Sequence, residues 1–183
     1  SSLAYNNVKQ EEEIKKYMNE YLPEDIAVLT VEEAAPRFHA RLNAVRKTYV
    51  YRIWNAPVKN VFRRRFTTWI QKPLDLDAME QAATLLCGTH DYRAFCSLKK
   101  FKKSTVRTIE KIEIGKMGQE IRISYTGDGF LYHMVRILTG TLVEVGLGLR
   151  KPEEMTEILE GQDRTKAGRL MPPEGLTLES VEY

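Results

Sequence analysis

The sequence predicts an α+β domain, a largely antiparallel sheet with flanking helices. Segments of period two and segments of helical period are interspersed along the chain, two of the former are joined as a hairpin, and no internal repeat is present. The chain has 183 residues, 43% hydrophobic and 29% charged. That is the balance of a globular protein, and the length suits one domain that buries a core without disulfides or metal.

Each element has its own signal. Residues 8–21 read as a helix: Ile14, Tyr17, Met18 and Tyr21 recur at helical spacing, and Gln10-Glu11-Glu12-Glu13 supplies acids for the first turn. Leu22-Pro23 stops it. Residues 26–31 form a short apolar strand candidate. Residues 47–54 alternate, with Tyr49, Tyr51 and Ile53 on one face and Val50, Arg52 and Trp54 on the other. Ala56-Pro57 ends that strand, and residues 66–70 suggest another. Residues 76–87 are an amphipathic helix closed by Gly88, and residues 92–96 suggest a short strand. Residues 97–105 are a lysine-rich loop. Residues 108–114 and 120–125 alternate around Gly115-Lys116-Met117-Gly118, a hairpin signal. Residues 130–145 and 152–159 read as helices, the latter opened by Pro-Glu-Glu, and residues 178–183 as a final strand.

Several function classes drop out. No apolar run reaches the roughly 18–20 residues of a membrane helix, so no membrane association is expected. The first residues lack a basic and apolar secretion signal. Cys87 and Cys96 have neither metal-ligand spacing nor a disulfide framework, so no metal is expected and a cytoplasmic location is. The chain begins with Ser and soon enters a helix, which suggests part of a longer polypeptide.

Charge is segregated. Residues 37–72 hold ten Lys or Arg and no acid, and residues 93–107 hold six more and no acid. These segments carry +16 in a chain of net charge +3, so the remainder carries −13. That division suits a polyanion-binding face. Tyr49, Tyr51, Trp54, Phe66, Trp69 and Phe101 are interleaved with the bases, an arrangement in which rings stack on nucleobases while cations meet phosphates. Composition does not say which rings stack and which are core.

The most informative segment is Gly129-Phe130-Leu131-Tyr132-His133-Met134-Val135-Arg136-Ile137-Leu138-Thr139-Gly140. Leu131, Met134, Val135, Leu138, Leu142 and Val145 form an apolar stripe, and Arg136 is the one permanent charge between Phe130 and Val143. No acid lies three or four residues away, so its partner is a distant side chain, solvent or a ligand. His133 is one turn away. Ser97, Ser104, Ser124 and Ser180 lack nucleophile context, and Gly127-Asp128-Gly129 is a turn.

These residues resemble a known family. Phe38-His39-Ala40-Arg41, Lys47-Thr48-Tyr49-Val50-Tyr51, Pro73-Leu74-Asp75, Leu86-Cys87-Gly88-Thr89-His90-Asp91-Tyr92, Val106-Arg107-Thr108-Ile109, Gly129-Phe130-Leu131-Tyr132-His133-Met134-Val135-Arg136, Asp163-Arg164 and the 175–183 segment resemble, in order, the blocks of the tRNA pseudouridine synthase A family.

The resemblance implies a pseudouridine synthase fold of two lobes flanking a basic RNA cleft. It implies a homodimer that isomerises uridine to pseudouridine in the tRNA anticodon arm, at tRNA positions 38, 39 and 40, without a cofactor. The family's catalytic aspartate sits in a Gly-Arg-Thr-Asp block that occurs nowhere in these 183 residues. The expectation is therefore that residues 1–183 are the C-terminal portion of a bilobed synthase, inactive alone. The alternative is a non-catalytic RNA-binding module with a basic groove.

By the same resemblance, Arg136 pairs with the aspartate. Tyr49 stacks on the target uracil and is a candidate for proton removal from C5, and Leu131 and Leu138 line an apolar wall. Arg41, Arg46, Arg52, Arg63, Arg64, Arg65, Lys99, Lys100, Lys102, Lys103 and Arg107 are the candidate phosphate contacts, the lysine loop being mobile without RNA.

Overall fold

The computed structural model describes residues 2–183. The chain forms two compact units, Ser1–Asn43 and Ala44–Tyr183.

The first unit contains one helix, α1 (Ser2–Tyr21), which starts earlier than its apolar spacing predicts. Glu11 to Glu13 therefore lie inside the helix, not in its first turn. Residues 26–31 do not form a strand. Their backbone finds a side chain instead of a neighbouring strand: the Val28 N–H donates to Asn19 Oδ1 at 2.7 Å, and Asn19 Nδ2 donates to the Val28 carbonyl at 2.9 Å. At residues 38–43 the His39 ring accepts from the Arg41 and Leu42 N–H groups, and Arg41 is exposed.

The second unit is a six-stranded sheet covered by helices. Its strands are β1 (Arg46–Asn55), β2 (Thr68–Ile70), β3 (Gly88–Asp91), β4 (Val106–Met117), β5 (Glu120–Gly127) and β6 (Leu176–Glu182). The order is β2-β1-β5-β4-β3, with β6 also on β1. One edge of β1 pairs antiparallel with β5 from Lys47 to Trp54. Its other edge is shared: β6 takes Arg46 to Tyr51, and β2 runs parallel to Ile53, Trp54 and Asn55. The sheet is thus mostly antiparallel, as predicted.

Alternation sorts the faces. Tyr51, Ile53, Ile109, Ile121, Ile123 and Tyr125 belong to the core, where they meet α2 (Leu76–Leu86), α3 (Met134–Gly146) and α4 (Glu154–Gly161). Thr48, Arg52, Trp54, Arg122, Ser124 and Thr126 occupy the opposite face. Two β-bulges interrupt the ladders, one at Glu110 in β4 and one at Glu179 in β6, opposite Tyr49. Both bulged residues are glutamates.

Helix α2 opens on Asp75, whose Oδ1 accepts from the Ala78 N–H and whose own N–H donates to the Gly146 carbonyl. The Pro-Leu-Asp block thus caps one helix and ties it to the end of another.

Three boundaries differ from the sequence reading. The strand expected at 92–96 is the earlier β3, because Gly88 at φ +111° carries the chain straight out of α2; residues Arg93–Phe95 form a 3₁₀ turn. The hairpin turn is Gly118-Gln119, with Gly118 at φ +59°, so Gly115 stays inside β4. Helix α3 begins at Met134, not Phe130, because His133 is left-handed (φ +64°) and residues 130–133 form a turn closed by the Met134 N–H on the Leu131 carbonyl. Leu131 therefore lies off the α3 stripe, and Arg136 falls in the first turn of the helix.

Backbone packs on backbone where α3 meets the 167–171 segment. A Cβ at Gly140 would overlap the Arg169 carbonyl oxygen, and one at Gly168 would meet the Thr141 backbone. Gly140→Ala should cost about 3 kcal/mol through overpacking, read as a lower urea midpoint, whereas Gly115→Ala, with open space around its Cβ position, should change the midpoint far less.

Candidate active site

Tyr49 lies on the helix-covered face of β1, two residues from fully buried Tyr51. It is half-buried, and the Phe130 ring meets it edge-on at 5.2 Å and 84°. Phe130 opens the turn that feeds α3, so the strand tyrosine and the start of that helix share one face of the sheet.

Arg136 occupies the first turn of α3, where helical N–H groups concentrate positive charge. A cation is unfavourable there. No acid stands in that turn, and the His133 side chain makes no capping bond. The main chain of Met171 holds the arginine instead: Arg136 Nε donates to the Met171 carbonyl at 2.6 Å, and the Met171 N–H donates to the Arg136 carbonyl at 3.3 Å.

The next carbonyl, Pro172, accepts the Tyr51 hydroxyl at 2.7 Å, and that hydroxyl also bonds Thr68 Oγ1 at 2.6 Å. Burial pushes Tyr51 up to about 12, against the opposing pull of the Thr68 bond and the Arg136 and Arg169 charges. Among the described residues Arg136 has no carboxylate partner. A guanidinium without a counterion at the positive end of a helix dipole can accept an anion as its partner.

His133 sits at the entrance to α3. Its Nδ1 and Ser97 Oγ are 3.0 Å apart, and its ring stacks on Tyr132 at 3.7 Å. Partial burial and then the Arg136 charge lower its pKa, which favours the neutral ring. Ser97 begins the lysine loop, and its N–H donates to the Tyr132 carbonyl at 3.3 Å. The other end of the loop is tied by Thr105, whose hydroxyl donates to Asp91 Oδ1 at 2.6 Å. Arg107 lies beside Gly129, close to the same turn. Among the described residues no group of three or more His, Cys, Asp or Glu could hold a metal, and no helix is long and apolar enough to cross a membrane.

A family model described as tRNA pseudouridine synthase matches residues 82–183, more than half of the chain. The tRNA pseudouridine synthase A of Brevibacillus brevis is 48% identical over 166 residues, covering 91% of this chain and 68% of the relative. The tRNA pseudouridine synthase A 2 of Clostridium tetani is 45% identical over 172 residues, covering 94% and 69%. This chain belongs to the tRNA pseudouridine synthase family.

In this synthase chain the expected phosphate contacts divide into groups. Lys99, Lys100, Lys102 and Lys103 are exposed on the loop tethered to Tyr132 and His133, with Arg107 at its base. Arg46 and Arg52 instead lie on the opposite sheet face. Arg46 is bound by Glu110 and Glu182, and Arg52 Nη1 donates to Thr177 Oγ1 at 2.9 Å. Arg63 Nη2 lies 2.8 Å from Glu120 Oε2, on that same far side. These three lie on the sheet face opposite Tyr49, each engaged by an acid or a hydroxyl. Arg64 and Arg65 are exposed in the connection from β1 to β2, and Arg41 belongs to the first unit.

Leu131 is half-buried in the turn before α3. Leu138 is fully buried in the core. Phe130, Ser97 and Met171 went unread as site residues in the sequence, because each matters through a partner distant along the chain.

Tyr51 has a folded value above its ordinary 10.0, so the stability it contributes is present below pH 10 and is lost as pH rises toward 12. Tyr51→Phe should lower stability at pH 7 by about 1 kcal/mol and should flatten the alkaline loss, measured as denaturation midpoints between pH 7 and 11.5.

Proposed function

We propose that this chain is the catalytic and RNA-binding portion of an enzyme that isomerises uridine to pseudouridine in the anticodon arm of tRNA, at tRNA positions 38, 39 and 40. The observation that carries this reading is Arg136: a guanidinium held by Met171, lacking a carboxylate among the described residues, on the helix that follows the Phe130 turn packed against Tyr49. Family membership supplies the reaction class.

The isomerisation breaks the bond from C1′ to N1, forms one from C1′ to C5, and moves the C5 proton away while N1 gains one. It is redox-neutral, so side chains suffice. An aspartate is the family's nucleophile, and an arginine fork holds such a carboxylate ionised and in one orientation. In this reading that carboxylate comes from a Gly-Arg-Thr-Asp block outside these 183 residues and docks on Arg136.

Tyr49, braced by Phe130, stacks on the flipped uracil, and its hydroxyl is the candidate to relay the C5 proton, accepting it as the hydroxyl's own proton passes to solvent. The Lys99–Lys103 loop and Arg107 draw in phosphates beside the pocket. The acting assembly is a homodimer of the longer polypeptide, located in the cytoplasm.

In a polypeptide carrying both this chain and the aspartate block, Tyr49→Phe and Arg136→Lys should each lower pseudouridine formation by about 10²-fold, scored by tritium release from C5-labelled tRNA. Unchanged turnover in Arg136→Ala would remove the assigned role. The 183-residue chain alone should bind tRNA with affinity that falls steeply with salt and should form no pseudouridine. Turnover by the chain alone would overturn the placement of the nucleophile outside it, and salt-insensitive binding would overturn the RNA reading.

A further inference from the structure

The lysine loop is not an independent arm. Ser97, at its first residue, is joined twice to the turn that starts α3: its N–H donates to the Tyr132 carbonyl at 3.3 Å, and its hydroxyl shares a hydrogen bond of 3.0 Å with His133 Nδ1. At the last residue of the loop, Thr105 is joined to Asp91, and the Tyr92 N–H donates to the Thr105 carbonyl. Between these anchors lie Lys99, Lys100, Lys102 and Lys103, with Phe101 beneath the Arg93 guanidinium at 5.2 Å.

One of the two Ser97 anchors rests on a strained residue. A histidine at φ +64° is an uncommon backbone choice, in a place where glycine or asparagine would relieve the strain. The left-handed turn ends with the imidazole stacked on Tyr132 and in reach of Ser97. Arg136 follows one helical turn later and electrostatically disfavours a second positive charge on the ring. The neutral ring keeps a lone pair on one nitrogen and a proton on the other, which suits a hydroxyl partner at Nδ1.

Resting on the functional reading above, we infer that Ser97 and His133 are positioning residues: their bond fixes the lysine loop at the entrance to α3, so that phosphates captured by the loop are held in register with Arg136 and Tyr49. Neither residue is assigned a chemical step. Without the bond the four lysines remain, but the loop loses its anchor to the helix, and the cost of ordering it returns on binding RNA.

The test is a mutant cycle in the 183-residue chain, with a labelled anticodon stem-loop RNA as the probe and its dissociation constant as the readout. Ser97→Ala should weaken binding about fivefold, while Ser97→Thr, which keeps the hydroxyl, should stay within about twofold of wild type. His133→Asn tolerates the left-handed backbone but loses the imidazole, and should match Ser97→Ala. The two together should be no worse than either alone.

In a chain with Lys99, Lys100, Lys102 and Lys103 all changed to alanine, the Ser97→Ala effect should shrink below about twofold. In an Arg64→Ala, Arg65→Ala chain it should persist in full. A merely structural Ser97 would weaken both backgrounds equally, and that additivity overturns the inference, as does wild-type affinity in Ser97→Ala. Loss of all RNA binding by the unmodified chain is a different result: it overturns the functional reading itself, and the positioning role with it.

Discussion

Arg136 is a cation placed where a helix least wants one. The first turn of α3 concentrates positive potential from its unpaired N–H groups, and a helix favours an acid at that point. The arrangement persists because Met171 takes both a side-chain donor and a main-chain acceptor of the same residue. The 167–172 segment comes close enough to do so because Gly140 and Gly168 let two backbones touch. From there the chain passes to Pro172 and the Tyr51 hydroxyl, so the strand below and the helix above share one support. An anion arriving at the guanidinium would relieve the repulsion between the side chain and its own helix.

Strand β1 gives that support its register. Both its edges are occupied, one by β5 and the other by β6 and then β2. A slip by one residue would exchange Tyr49 and Tyr51 for Val50 and Arg52 on the core face. Such a slip would break three ladders and place an arginine among Ile123, Tyr125 and Leu138. Tyr49 is thus aimed by the pairing of its strand more than by its own contacts, with Phe130 the ring that steadies it.

Much of the fold was legible in the sequence, and the misses share a cause. β1, α2 and β5 follow from periodicity because each has a regular apolar face against the core. Residues 26–31 read as a strand because they are apolar, but the sequence does not reveal that an asparagine side chain replaces the neighbouring strand. The α3 boundary was missed because nothing local forces His133 left-handed; its contacts with Tyr132 and Ser97 accompany that conformation. For the site, the lack of a local acid near Arg136 was readable from spacing, and Tyr49 stood out through the family blocks. The Met171 clamp was not readable, since carbonyl acceptors leave no mark in a sequence. Charge counting found the basic segments but could not show that Arg46, Arg52 and Arg63 have partners on the far face.

Glu110 and Glu179 have a consequence beyond strand geometry. Each is the extra residue of a β-bulge, and each reaches a guanidinium of the outer sheet face, Arg46 and Arg122 respectively. On that sheet face Arg46 and Arg122 are thereby paired with carboxylates. The irregularities in the ladder thus place carboxylates against guanidiniums, so that Arg46 and Arg122 add little to the positive field of that sheet face.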